Sequence, residues 1–189
     1  TVTLTVRLSH GSSREVKVDF VTQSVPAGGG ARPADAGSDY DSQPGSVTFE
    51  KGSEKLERTI AVSLLEDDLD EDKEVFDVEL VEAQHATLDE AKRSVRVTIT
   101  DNDDPPELSV DETASFTEGN PSDPDVRGYI PIRLSKKSGK VVVVKASVHN
   151  PASYSAKDPS DYDSTLFADI EIPPGTLEAQ FAVKLTINE

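Results

Sequence analysis

Cysteine, methionine and tryptophan are absent from this 189-residue chain, and histidine occurs three times. Without cysteine there is neither a disulfide framework nor a thiolate metal site. Zinc is not expected either, because His10, His85 and His149 are scattered, and each is expected to be an exposed surface residue. With no methionine anywhere, the sequence is expected to be a piece of something longer. Aromatics make up 5%. Paired carboxylates can do acid–base chemistry, but only beside a cleft with aromatic and polar walls, so no enzyme is expected here. No apolar run approaches the ~20 residues of a membrane span, and direct membrane insertion is not expected. Positive charge is scarce as well: 19 Lys and Arg stand against 36 Asp and Glu, a net charge of −17. That argues against nucleic acid, whose binding rests on basic residues neutralising phosphates. It argues equally against an anionic membrane surface. Such a balance suits a protein that takes up multivalent cations, although charge alone explains no more than solubility.

What is present is alternation. "VTLTVRLS" (2–9) places Val2, Leu4, Val6 and Leu8 on one face. "REVKVDFVTQ", "SVTFEKG", "RTIAVSLLED", "EVFDVELVEA" and "SVRVTITDND" follow with the same period of two. Each reads as a half-buried antiparallel strand. "DEAKRSV" could form one helical turn at most. Residues 24–45, rich in Gly, Pro and Ala, read as a long surface loop that ends on Asp39-Tyr40.

"DNDDPPE" (101–107) is the domain boundary, since its proline pair cannot continue a central strand. Strand-like text then restarts with "ELSV", "ASFTEG", "RGYIPIRLS", "KVVVVKASVHN", "ADIEIPPG" and "AQFAVKLTINE". "KVVVVK" is expected to be a buried central strand. The second half repeats the first. "VRLS" returns as "IRLS", "SDYDS" at 38–42 returns intact at 160–164, and "TIAVSL" returns as "QFAVKL". The expectation is an all-β chain of two tandem antiparallel sandwiches, 1–104 and 105–189, both truncated by the chain ends. The first lacks its first strand and the second its last ones. About seven strands per full copy is the number of an Ig-like sandwich. The tyrosines of both "SDYDS" copies are expected to be packing anchors.

Three acidic clusters fall in the first copy. Asp39 and Asp41 end the long loop. Seven of the nine residues 66–74 are carboxylates: Glu66, Asp67, Asp68, Asp70, Glu71, Asp72 and Glu74. Asp101, Asp103 and Asp104 follow the last strand. All three clusters are reached by strands running the same way, so they are expected at one end of the sandwich. Like-charge crowding of this kind is relieved by protons or cations. Calcium, which takes six to eight oxygens in flexible geometry, suits carboxylates on loops better than magnesium. The EF-hand pattern is absent.

The text from "GSDYDSQPGSVTFEKG" through "LLEDDLDEDKEVFDVELVEA" to "SVRVTITDNDDPP" resembles a Calx-β domain over nearly all of the first copy. The second copy resembles it through "SDYDS" and "IPPG". The resemblance implies an Ig-like sandwich of two sheets with Ca²⁺ held at one end. Carried over by position, it implies Asp39, Glu66, Asp67, Asp68, Glu71, Glu74, Asp101 and Asp103 as ligands, with Leu69 offering only a carbonyl. Asp70 and Asp72 would be the solvated part of the run. Asn102 departs from the pattern by replacing an acid. In the second copy, Glu118 and Asp161 would be half a site. The implied partners are calcium ions, neighbouring domains of the same parent chain and other protein or surface ligands. Two roles follow. One is an extracellular or cell-surface adhesion module rigidified by calcium; the other is a cytoplasmic calcium sensor regulating a transporter of the sodium–calcium exchanger type.

Overall fold

Where alternate residues of the first repeat are apolar the chain is extended, and in most of its strands the apolar half turns inward. The computed structural model describes residues 1–26, 30–117, 126–149, 156, 161–163 and 165–186, and among them it is all β, with no helix. The strands are β1 Val2–Arg7, β2 Val16–Ser24, β3 Arg32–Pro33, β4 Gly45–Phe49, β5 Glu57–Val62, β6 Glu74–Gln84, β7 Ser94–Ile99, β8 Leu108–Val110, β9 Arg127–Leu134, β10 Val142–Ser147, β11 Phe167–Ile172 and β12 Glu178–Lys184. By contact the chain divides into two units, Thr1–Asp68 with Asp72–Asp101, and Leu69–Glu71 with Asn102–Glu189.

In the first unit β1 pairs antiparallel with β5 to make one sheet. The other sheet runs β3-β6-β2-β4, and β7 takes the second edge of β6. Period two puts Val6, Ile60 and Val62 of the small sheet and Val16, Val18, Val47, Phe49, Phe76, Val78 and Val97 of the large one into a single core. Central β6 has partners along both edges, which is why Glu74, Val75 and Phe76 are all buried in succession. Asp77 and Arg96, opposite each other on β6 and β7, close a two-point ion pair at 2.9 and 3.1 Å.

β5 and β6 lie in different sheets, so the acidic run is not a hairpin turn. It is an arch that carries the chain from one sheet to the other. The long loop also holds a strand that composition hid. β3 pairs parallel with β6, Arg32 opposite Glu74 and Pro33 opposite Val75.

The second unit repeats this pairing. β9 pairs with β12 as β1 does with β5, and β10 pairs with β11 as β2 does with β4. β8 adds to the free edge of β9. Gly52 and Gly175 hold the same turn in the two repeats, each with φ near +70° (70° and 74°), where a side chain would be strained. The core is Ile132, Leu134, Ile172, Phe181 and Val183. Three expectations need correction here. Residues 114–117 of "ASFTEG" are not a strand. β10 is not a buried central strand: Val143 is 55% exposed and, among the described residues, β10 pairs with β11 alone. Asp70 is not solvated. It groups with this unit, is 9% exposed, and accepts a charge-assisted bond from Lys140 Nζ at 2.6 Å.

Candidate metal centre

Asp39 is placed by its neighbour. The Tyr40 ring is buried and stacks on Phe76 of β6, centroids 4.1 Å apart and planes 10° from parallel. On either side of it the backbone is clamped, Asp41 N to Ser63 O and Leu65 N to Asp39 O, both at 2.9 Å. The Asp39 carboxylate turns back to accept the Asp35 backbone N–H at 2.5 Å. Burial, more than the neighbouring charges of Asp35 and Asp39, pushes the Tyr40 hydroxyl above its ordinary range, while a bond with the Thr22 side chain pulls the other way. The second repeat builds the same clamp around Tyr162, with Thr186 N donating to Asp161 O at 3.0 Å and Tyr162 bridged to Leu185. The Asp-Tyr-Asp stretches 39–41 and 161–163 thus take the same backbone clamp, with Tyr40 buried and Tyr162 half-buried.

Glu74 is placed by the large sheet. It opens β6 with Arg32 of β3 opposite on one edge and Ile99 of β7 on the other, and it is 7% exposed. Backbone bonds from Arg32 N to Lys73 O (2.8 Å) and Ala34 N to Val75 O (2.9 Å) hold this end of the strand. Glu71 lies three residues earlier on the arch and is half-buried. Asp39, Glu71 and Glu74 each bring one carboxylate oxygen to within 4.8 Å of the others.

Oxygens within 4.8 Å of one another can share one calcium ion, whose oxygen bonds of about 2.3–2.6 Å put two ligands up to about 5 Å apart. An all-oxygen, all-carboxylate donor set fits a hard cation, and nothing in it favours a soft one. The residues present therefore fit calcium.

The other expected ligands are distributed as follows. Glu66, Asp67 and Asp68 are exposed on the arch, and so is Asp72. Asp101 is half-buried two residues beyond Ile99, which pairs with Glu74, so the tail leaves β7 at the end where β6 begins. Asp103 is half-buried with Lys136 Nζ 3.9 Å from its carboxylate. None of Glu66, Asp67, Asp68, Asp101 and Asp103 is in the 4.8 Å group. Asp161 is half-buried in the second unit, and Glu118 lies outside the described residues. Reading the sequence missed β3, whose backbone fixes the start of β6. Arg32 precedes a proline, which favours extended backbone, and that signal was available.

A family model described as the Calx-beta domain matches residues 1–103. Among solved structures, the chain is similar to calcium binding domain CBD12 of CALX1.1, with 19% identity, 96% of this chain and 67% of that chain covered, and a TM-score of 0.47. It is similar to CBD12 from CALX1.2 at 19% identity, covering 97% of this chain and 68% of that one, TM-score 0.47. The apo-form Calx CBD1 domain is 23% identical over 53% of this chain and 83% of its own, TM-score 0.43. A comparison with curated proteins found no match.

Proposed function

The chain belongs to the Calx-beta family, and from that premise we propose that it is a calcium-binding β-sandwich module. The observation that carries the proposal is the meeting of Asp39, Glu71 and Glu74 oxygens within 4.8 Å, two of them placed by backbone that the core holds rigid. Glu66, Asp67, Asp68, Asp101 and Asp103 are the further acids proposed to complete a six- to eight-oxygen shell. In the second copy Asp161 occupies the position of Asp39 and is proposed, with Glu118, as part of a second site. Calorimetric titration of the chain with calcium tests the proposal. Saturable heat that Asp39→Asn weakens supports it, and no heat at millimolar calcium refutes it.

The role follows from the affinity. Dissociation constants of roughly 10⁻⁷–10⁻⁵ M would mark a cytoplasmic sensor that regulates an attached transporter. Values of roughly 10⁻⁴–10⁻³ M would mark an extracellular module in which calcium stiffens a repeat array for adhesion. In the second role Asp101 and Asp103 would tie the "DNDDPPE" connection to the ion. Solution scattering with and without calcium would then show a calcium-dependent change in dimensions, and unchanged dimensions would remove that role.

A further inference from the structure

β4 ends the large sheet of the first unit. It pairs with β2 along one side and, among the described residues, with no strand along the other. β8, the strand that the second unit has and the first does not, joins β9 in the other sheet, so among the described residues neither unit holds a strand for this edge. An unpaired edge offers its N–H and C=O groups to any strand that approaches, and charge on the edge is a common deterrent. The registers Val16–Phe49 and Val142–Ile172 align β4 with β11. β11 carries Asp169 and Glu171 on its exposed row, where β4 has Ser46 and Thr48. β4, "GSVTF", has no charged residue at all.

What covers β4 instead is Arg58. On β5 this residue lies in the row of Ile60 and Val62, which are buried in the core, so it is an inward-facing charge at the end of the strand. Its Nε donates to Thr48 O of β4 at 2.7 Å, and its Nη1 donates to Glu57 O at 2.8 Å and to Lys55 O at 3.2 Å. The guanidinium carbon lies 5.0 Å from the centroid of the Phe49 ring. Arg58 thus reaches from one sheet to the other, lies against the last two residues of β4 and takes up one of its main-chain acceptors. "TIAVSL" and "QFAVKL" place Ala179 at the corresponding point of β12, and a methyl group can do none of this. Each repeat therefore keeps charge at this edge, the second on the strand itself and the first from across the sandwich.

We propose that Arg58 guards the β4 edge and keeps a second copy of the chain from adding a strand there. The strand it excludes is β4 of that copy, which is equally free of charge and can pair antiparallel with its own edge about a two-fold axis. Entry of that strand would displace the guanidinium from its carbonyls and bury a charge without a partner. Nothing in this depends on calcium.

The test follows amide exchange of the full chain in EDTA over about a hundredfold range of chain concentration. In the parent, exchange across β4 does not depend on concentration. Arg58→Met keeps an apolar stem over Phe49 and loses the charge and the donors. In this variant β4 exchange slows at least about tenfold as concentration rises, because the added strand pairs the edge. Exchange across β6 stays as in the parent, which shows the fold intact. Ser46→Lys, added to Arg58→Met, puts a charge on the edge strand opposite Asp19 and removes the dependence on concentration. The proposal is overturned if β4 exchange in Arg58→Met is the same at all concentrations, if the parent shows the same slowing, or if Ser46→Lys changes nothing. A variant that unfolds outright, losing protection of β6 together with β4, overturns it too, since Arg58 would then be a brace of the fold and not a guard of its edge.

Discussion

Glu74→Gln separates a metal ligand from a structural carboxylate, because the two roles predict opposite signs. Glutamine keeps the size of glutamate and one acceptor oxygen but removes the charge. At the outer limit of 4.8 Å, unit charges repel by about 3.5 kcal/mol at an effective dielectric constant of 20 and by about 0.9 in water. Removing the Glu74 charge relieves two such pairs, with Asp39 and with Glu71. Against this stands the weakening of the polar contacts Glu74 itself makes, about 1–3 kcal/mol. Without calcium the variant is therefore expected to lie between about 1 kcal/mol less stable and about 6 kcal/mol more stable than the parent, with the balance on the stabilising side. With calcium the order reverses. A loss of one charged ligand is expected to weaken binding about tenfold to a hundredfold, about 1.4–2.7 kcal/mol. At a calcium concentration of about 100 times the parent dissociation constant, the parent gains about 2.7 kcal/mol. A variant weakened a hundredfold gains about 0.4 at the same concentration. For a unit of this size the calcium-induced rise in Tm then falls from on the order of 10 °C to about 2 °C. Thermal unfolding in EDTA and in calcium reads both signs. A variant that loses equal stability in the two buffers, or that keeps the full calcium shift, would refute the reasoning.

Asp72→Asn, exposed on the arch, should leave calcium affinity within about twofold, whereas Asp39→Asn should weaken it at least about tenfold; equal effects in titration would mean diffuse charge and no formed site. Tyr40→Ala removes the ring stacked on Phe76 and should cost about 3–5 kcal/mol in denaturant unfolding, while a loss under about 1 kcal/mol would show that the clamp is held by backbone alone. Burial raises the Tyr40 hydroxyl in the folded state, so its contribution is fully present below the ordinary tyrosine pKa of about 10 and is lost as pH rises through the folded value. Tyr40→Phe should flatten that alkaline limb, and an unchanged limb would place its cause elsewhere. Gly45→Ala would put a Cβ 2.5 Å from the Phe20 ring and should cost about 1–3 kcal/mol, measured by the shift in Tm.

Much of this was legible in the residues because period two is a strong signal where one face is buried. Every run with clear alternation in the first copy became a strand, and the repeated "SDYDS" led to two copies of one backbone clamp. What stayed hidden was tertiary. β3 has two residues and no period to read; its pairing comes entirely from β6. That the acidic run crosses between sheets stayed hidden because sequence order does not say which sheet a strand joins. Asp70 looked solvated because local charge density says nothing about a lysine seventy residues away. The four valines before Lys145 looked central because an apolar run reads the same whether or not a neighbouring strand is there to cover it. Within the acidic run itself, composition could not rank the seven carboxylates. The resemblance selected Glu71 and Glu74, which the fold brings to Asp39, together with Glu66, Asp67 and Asp68, which it leaves exposed.

The claim that Asp39, Glu71 and Glu74 share one calcium ion is tested most directly by diffraction from crystals of the chain grown with calcium. The account predicts an anomalous peak at about 2.3–2.6 Å from an oxygen of each of the three carboxylates. Density for calcium elsewhere on the acidic run, with these three oxygens bonded only to protein or water, would contradict it.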